Sequence, residues 1–523
     1  MRSPQEIIAE IKDKFSPERN EKEVLLNILS ACDVVGGKLY GAKEHFLFEL
    51  IQNADDNSYA AGVAPSLDIS IEDIEIAGKK QTCLILKNNE IGFSEDNVRA
   101  LCRIGRSTKK KTNGFIGEKG IGFKSVFAVT DRPYIFSNGF QFSLPKTIML
   151  GDIELGYIVP VWEDIAPIEI TKNTTIILPL NDPQNVIEKI QVIEPQTLLF
   201  LHKLSSMTIH INWNGICSER IIECKSISER SVSEKIVRLE SLAEIDGLSE
   251  HSSVEYFCNT IAIDVPDDLT EGEREGIKSR ELTIALPLTR DENFRGGVFA
   301  YLPIQDGTVL PFLLNCDFLL TSSREKILEN DWNRWIRDRI APFFTDIIEK
   351  TMADSNLTVE CKQLIFSCIP ITTGNSFLEP LAGKICEILK NRKCLLTEGS
   401  YLPISPDHCY RAPEKVRNIL KRLDWVAAED RDGDFMLAES FEQCDEILKK
   451  LGMQTCTCQQ VVDLVSDDLI AKLSNEQLCS YYLFLIENAK DHVVDAEHSL
   501  LPIDNGGLRI MQKSTPDRFI CFP

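Results

Sequence analysis

The chain has 523 residues, more than one hydrophobic core usually organises, so several domains are expected, and its 43% apolar and 26% charged residues are an ordinary globular mix. A net charge of −23 repels phosphate backbones and anionic bilayers, which disfavours direct nucleic-acid binding and a membrane-surface role. No apolar run reaches the ~20 residues of a spanning helix, the opening MRSPQEIIAEIKDKFSPERN lacks a signal-peptide core, and the 17 cysteines are spread without metal-ligand spacing, so the reading is a soluble cytoplasmic protein with reduced thiols, the nucleus remaining open.

Residues 5–14 and 21–32 have helical spacing, and a third helix is expected over 43–60. In its HFLFELIQNADDN, Phe46, Leu47, Leu50, Ile51 and Ala54 make an apolar side, while Glu49, Asn53 and Asp56 fall within about 60° of arc. Such a stripe is ordinarily a solvated face, and the helix alone does not decide otherwise. SLDISIEDIEI at 66–76 alternates as a half-buried strand does, QTCLILKN at 81–88 is a more continuous apolar strand, and AGKK between them closes a hairpin. SEDNVRALCRI follows with a Ser94 cap and helical spacing, then the loop GRSTKKKTNGFIGEKGIG and a further helix from near Phe123. RPYIFSNGFQFSL predicts a hairpin turning at Asn138-Gly139, and NTTIILPL at 173–180 another strand. Helices alternating with hairpins predict an α+β fold over residues 1–185, a mixed sheet covered by helices on one face.

A second αβ segment is expected over 186–350, with strands at SMTIHINWNGICSERII, ELTIALPL, GVFAYLPI and TVLPFLLNCDFLL, an exposed acidic insertion at 264–276 and a helix from Asp331. From 351 to 523 the pattern is mainly helical, interrupted by KCLLTEGSYLPISPD and HSLLPIDNGGLRI, which are only loosely alike. The apolar DRFICFP at the end reads as a piece of a longer protein.

The chemistry-bearing element is GFIGEKGIGFKSVFAV, where Gly114, Gly117, Gly120 and Gly122 precede an apolar helical run. Glycines let the backbone approach a ligand, and a helix start offers free N–H groups to an anion, so the stretch reads as a phosphate cradle. The same cluster also occurs as a plain connection. It is neither the dinucleotide-binding fingerprint nor a P-loop, whose spacings are absent.

In order, the chain presents HFLFELIQNADDN, NNEIGFSEDNV, IGRSTK, GEKGIGFKSVF and NTTIILPL. This series resembles the GHKL superfamily, which comprises gyrase, the heat-shock chaperone ATPases, histidine kinases and MutL and shares the Bergerat ATP-binding α/β sandwich. Within it the motifs look like the sacsin-like and NO VEIN-like branch, and the resemblance covers roughly residues 20–185. It implies that Glu49 is the general base for the attacking water, that Asn53 holds Mg2+ and that Asp56 lines the nucleotide pocket. It places Asn88-Asn89-Glu90-Ile91-Gly92 over the family's Asp-x-Gly-x-Gly, so that Asn88 stands for the adenine-reading aspartate and Gly92 is retained, which leaves GTP open beside ATP. Gly117, Lys119, Gly120, Ile121, Gly122, Phe123 and Lys124 match the second glycine box, the two lysines as phosphate counter-charges. Arg106, Ser107, Thr108 and Lys109 to Lys111 fall in the nucleotide lid, Thr174 at the back of the adenine pocket, and Arg324 of LLTSSREKI on the loop that sends an arginine to the γ-phosphate. The plainer readings are a solvated loop for Lys110 and Lys111, a strand-forming residue for Thr174 and a surface ion pair for Arg324.

The implied function is a slow ATPase, dependent on ATP and Mg2+, whose lid and transducer-like second segment change conformation to act on a protein client or signalling assembly as chaperones do. A homodimer is compatible with it. A non-hydrolysing nucleotide-binding scaffold is the alternative, against which the retained Glu49 argues. A MutL-like DNA-processing ATPase is disfavoured by the charge, and a histidine kinase by the lack of any upstream histidine other than His45.

Overall fold

A computed structural model describes residues 2–20, 23–25, 27, 30, 45–76, 78–103, 122–164, 172–245, 247–269, 274, 276–289, 294–304, 307–321, 326–424, 435–464, 472–488, 499–502 and 508–510. The chain divides into two compact units, Met1–Arg337 and Asp338–Pro523, the division falling within the helix Asp331–Ala353.

In the first unit, Ser3 starts helix α1 (Pro4–Asp13) with a capping box: its hydroxyl accepts from the Glu6 N–H at 3.2 Å, and the Glu6 carboxylate accepts from the Ser3 N–H at 2.7 Å. Helix α2 (His45–Asp56) ends earlier than its sequence pattern. Its last carbonyls are taken by other partners, the Ala54 oxygen by the Tyr59 hydroxyl at 2.6 Å and the Asn57 N–H at 3.2 Å. The helix expected at 21–32 lies mostly outside the described residues. Ser94 caps α3 (Glu95–Leu101) through a second capping box with Asn97. The helix expected near Phe123 is a 3-10 helix, Gly122–Ala128.

Strands β1 (Ser66–Ile76) and β2 (Lys79–Asn88) form the expected antiparallel hairpin. Beside β2 lie β8 (Thr174–Pro179), β3 (Tyr134–Ser137), β4 (Phe140–Ser143) and the short β7 (Val161–Trp162), while β5 (Ile148–Leu150) and β6 (Ile153–Leu155) pair separately; β3 and β4 are joined at Asn138 and Gly139, whose φ of 47° and 83° suit the tight turn that Asn-Gly favours. The apolar run in β2 is continuous because both faces are covered. Leu84 and Leu86 pack with Phe46, Leu50 and Ile51 of α2, whereas Cys83 and Ile85 pack with Tyr134, Phe136 and Ile177 on the other side. Each fully buried apolar side chain here contributes about 1.5–3 kcal/mol.

The sheet continues through the second αβ segment. β9 (Ser206–Trp213) pairs in parallel with β1 from Ser66 opposite Ser206 to Ile71 opposite Ile211, and then leads into a long antiparallel meander of β10 (Ile216–Glu229), β11 (Glu234–Ile245), β12 (Leu248–Asp264) and β13 (Ser279–Pro287). Among the described residues this makes a mixed sheet of 14 strands in an α+β unit. Within the stretch expected as an exposed acidic insertion, Asp267 and Asp268 are exposed, but Arg274 is buried and donates to Asp317 at 2.7 Å.

The second unit is mainly helical, with helices such as Val359–Ser367, Pro380–Leu389, Glu414–Arg422 and Asn475–Asn488, and only short strands. In it Arg417 is buried and pairs with Glu398 at 2.8 Å and Glu442 at 3.1 Å. The two loosely alike stretches both fold as antiparallel pairs, Leu395–Leu396 with Pro403–Ile404 and Ser499–Pro502 with Leu508–Ile510. None of the described helices is long and apolar enough to cross a membrane.

Candidate functional site

Helix α2 is not a surface helix. Opposite its apolar residues, Gln52 and Asp55 are fully buried and Asp56 is 7% exposed, while Glu49 and Asn53 are half-buried. A stripe of acids and amides under protein rather than water carries a desolvation penalty that is sustained by specific partners. The 3-10 helix Gly122–Ala128 supplies one boundary of this stripe. A β-carbon placed on Gly122 would collide with Oε2 of Glu49, so the Glu49 carboxylate rests on bare backbone at the end of the glycine-rich stretch. A side chain at 122 would make the Glu49 carboxylate swing aside.

Two residues of the same helix have other surroundings. Phe123 packs against the helix-covered core. Lys124 is buried, and its ammonium donates to the carbonyls of Leu101 at 2.6 Å and Tyr157 at 2.7 Å, which ties the end of α3 to the start of the 3-10 helix. Ser107, Thr108, Gly117, Lys119, Gly120, Ile121 and Arg324 lie outside the described residues.

At the other end of α2, Asn88 sits on the helix-covered face of β2. Its amide donates to the Tyr59 hydroxyl at 2.7 Å and the Ser66 carbonyl at 2.9 Å, and its oxygen accepts from Asn57 at 3.1 Å. Burial pushes the Tyr59 phenol well above its ordinary value, so it stays neutral and donates its hydroxyl hydrogen bond to the Ala54 carbonyl. Gly92 has φ +90°, and a side chain there would meet the Lys172 carbonyl at 2.6 Å and Asn138 at 2.7 Å, so the retained glycine is required by both backbone and space.

Glu90 was not singled out by the sequence. Only 4% exposed, it accepts from the Thr174 hydroxyl at 2.5 Å. Thr174 lies opposite Asn88 in the β2–β8 ladder, so this carboxylate belongs to the same face. The donors can be ordered along the chain of bonds. Thr174 spends its proton on Glu90 and accepts from Ser137 at 2.6 Å, and Ser137 in turn accepts from the Phe93 N–H at 2.8 Å. Burial raises the Glu90 carboxyl above its ordinary value, opposed by the Thr174 hydroxyl and the Gly92 backbone. An acid standing where the Asp-x-Gly-x-Gly pattern has a glycine was the available signal.

Comparison with known proteins finds relatives of this chain. The "Sacsin domain" family matches residues 37–153. Protein NO VEIN of Arabidopsis thaliana is 30% identical over 477 residues, 83% of this chain and 16% of that protein. Chaperone protein HtpG of Roseobacter denitrificans is 32% identical over 143 residues, 24% of this chain and 22% of that protein, and human sacsin 35% over 104 residues, 19% and 2%. The chain thus spans less than a quarter of the length of each of these relatives.

These matches fit the GHKL superfamily, the class built on the Bergerat sandwich. Within that class the chain is similar to the sacsin domain and to NO VEIN and sacsin.

Proposed function

We propose that this chain binds ATP with Mg2+ across the polar stripe of α2 and the start of the Gly122–Ala128 helix, and that it hydrolyses the nucleotide slowly. The observation that carries the reading is the Glu49 carboxylate seated against Gly122, where a side chain would fill the space. The donor set fits a hard cation, since Glu49, Asn53 and Asp56 offer only oxygen and amide groups along one line of the helix. Bound Mg2+ would supply positive charge to the phosphate oxygens, with the Asn53 amide oxygen as its protein ligand. Glu49 orients a water and accepts its proton as the oxygen attacks the terminal phosphorus and the bond to the leaving diphosphate breaks. Glu90, held by Thr174, offers an acceptor to an exocyclic amino group, which supports adenine over a base carrying a carbonyl at that position.

The segments 1–185, 186–350 and 351–523 then act as ATP-binding, transducer-like and C-terminal regions of a conformational machine that works on a protein client or a signalling assembly in the cytoplasm. Asp56 and Asn88 shape the pocket, Ser107 and Thr108 belong to its lid, Gly117, Lys119, Gly120, Ile121 and Gly122 surround the phosphates, and Arg324 reaches the terminal phosphate. Titration with ATP, ADP and GTP, with and without Mg2+, on the wild type and Asn53→Ala tests the reading. Mg2+ raises ATP affinity in the wild type and not in Asn53→Ala, and GTP binds more weakly than ATP. A wild type that binds no nucleotide overturns it.

A further inference from the structure

Asp55 lies beside Asp56 in sequence but points elsewhere, roughly 200° of helical arc from Asn53, and it is fully buried. It accepts three consecutive backbone N–H groups, from His202 at 2.9 Å, Lys203 at 2.7 Å and Leu204 at 2.8 Å. The grip is reciprocal, because the Lys203 ammonium donates to the Asp56 carbonyl at 3.3 Å and the Asn57 carbonyl at 2.6 Å, at the end of α2 where a cation suits the helix dipole. Charged partners on both sides make these the strong kind of hydrogen bond.

The gripped segment joins two cores. Leu199 and Phe200, just before it, pack with Val237, Leu239, Tyr256 and Phe299 of the second αβ segment, whereas Leu204 packs in the core under α2. Two residues after Leu204, β9 begins and pairs with β1. The side chains of His202 and Tyr301 stack edge to face at 5.2 Å, which adds a contact toward β14 (Gly297–Ala300). Helix α2 therefore carries the nucleotide-facing stripe on one side and, through Asp55, the root of the second segment on the other.

We infer that the Asp55 clasp on residues 202–204 couples ligand occupancy at the α2 stripe to the second αβ segment, with Asp55 acting as a positioning residue and not touching the ligand. A displacement of α2 reaches β9 because a carboxylate holding three amides has no compliant direction along the helix. This rests on the nucleotide reading of the stripe, so its test carries an arm that needs no nucleotide.

Hydrogen exchange read by mass spectrometry on the full chain, with and without ATP and Mg2+, is compared for wild type, Asp55→Asn and Lys203→Gln, alongside equilibrium ATP binding and thermal midpoints. In the wild type, ATP changes exchange both in 45–57 and in 199–213. In Asp55→Asn, ATP affinity stays within about threefold of wild type and the response in 45–57 persists, while the response in 199–213 falls at least threefold; Lys203→Gln gives the same split should Asp55→Asn not fold. A merely structural role would lower the midpoint and raise exchange throughout without separating the two regions. The second arm uses Gly122→Ala, which pushes on Glu49 and so on α2. It alters exchange at 202–204 when Asp55 is present and not in combination with Asp55→Asn. An unchanged 199–213 response in Asp55→Asn overturns the coupling. A wild type that binds no nucleotide overturns the functional reading instead, and the coupling is then decided by the Gly122→Ala arm.

Discussion

Glu49 and Gly122 lie in close contact: a β-carbon added at residue 122 would collide with Oε2 of the glutamate. A carboxylate from α2 and the backbone after the glycine-rich stretch are thereby held face to face, 73 positions apart in the chain by subtraction of their numbers.

Gly122→Ala is therefore expected to displace the carboxylate end of the half-buried Glu49 side chain at a cost of about 0.5–1.5 kcal/mol, the range for forcing a side chain off its rotamer. Glu49→Ala in the same chain removes the obstructing carboxylate and recovers most of that loss, so a double-mutant cycle from denaturant titrations gives a coupling of more than about 0.5 kcal/mol. Strict additivity would show that the two residues do not meet.

Glu49→Gln keeps the shape and removes the base. Phosphate release should fall by about 100-fold or more, in line with the contribution of a positioned general base, while ATP affinity changes little. Equal rates in the two proteins would leave a nucleotide-binding scaffold and remove the hydrolytic role.

Thr174 donates to Glu90 and accepts from Ser137, so Thr174→Val strips two buried polar groups of a partner at once. The expected loss is about 1–3 kcal/mol in unfolding free energy. Thr174→Ser, which restores the hydroxyl, recovers the greater part; if Thr174→Val and Thr174→Ser were equally stable, the hydroxyl chain would not contribute.

The parts of this arrangement that the sequence declared are those written in local periodicity. The apolar side of α2 is visible in the spacing of Phe46, Leu50, Ile51 and Ala54, and the β3–β4 turn in Asn138-Gly139, because both are decided by neighbours a few residues away. Glu90 and Asp55 are different. The hydroxyl that holds Glu90 is 84 residues off, and Asp55 is satisfied by backbone amides 147 to 149 residues away. Backbone donors leave no side-chain signature, so Asp55 reads as one more acid in NADDN. The pairing of β9 with β1, which carries the sheet beyond residue 185, likewise joins strands some 140 residues apart and has no local mark.

Glu90 also predicts a dependence on pH. Burial raises its folded-state pKa above the ordinary 4.5, so the folded protein holds this proton more tightly than the unfolded chain does. Between 4.5 and the folded value the native state binds more protons than the unfolded state, and unfolding free energy therefore falls as pH rises across that window. Below 4.5 both states are protonated and the full stability is present; above the folded value both are ionised and the loss is complete. Glu90→Gln keeps an acceptor for Thr174 and cannot ionise, so it lacks this component. Thermal midpoints of wild type and Glu90→Gln, measured from pH 4 upward, should diverge with Glu90→Gln gaining on the wild type through the window and then run parallel. A constant difference at every pH would mean that Glu90 titrates as it does in the unfolded chain, and that the hydroxyl and backbone donors fully offset its burial.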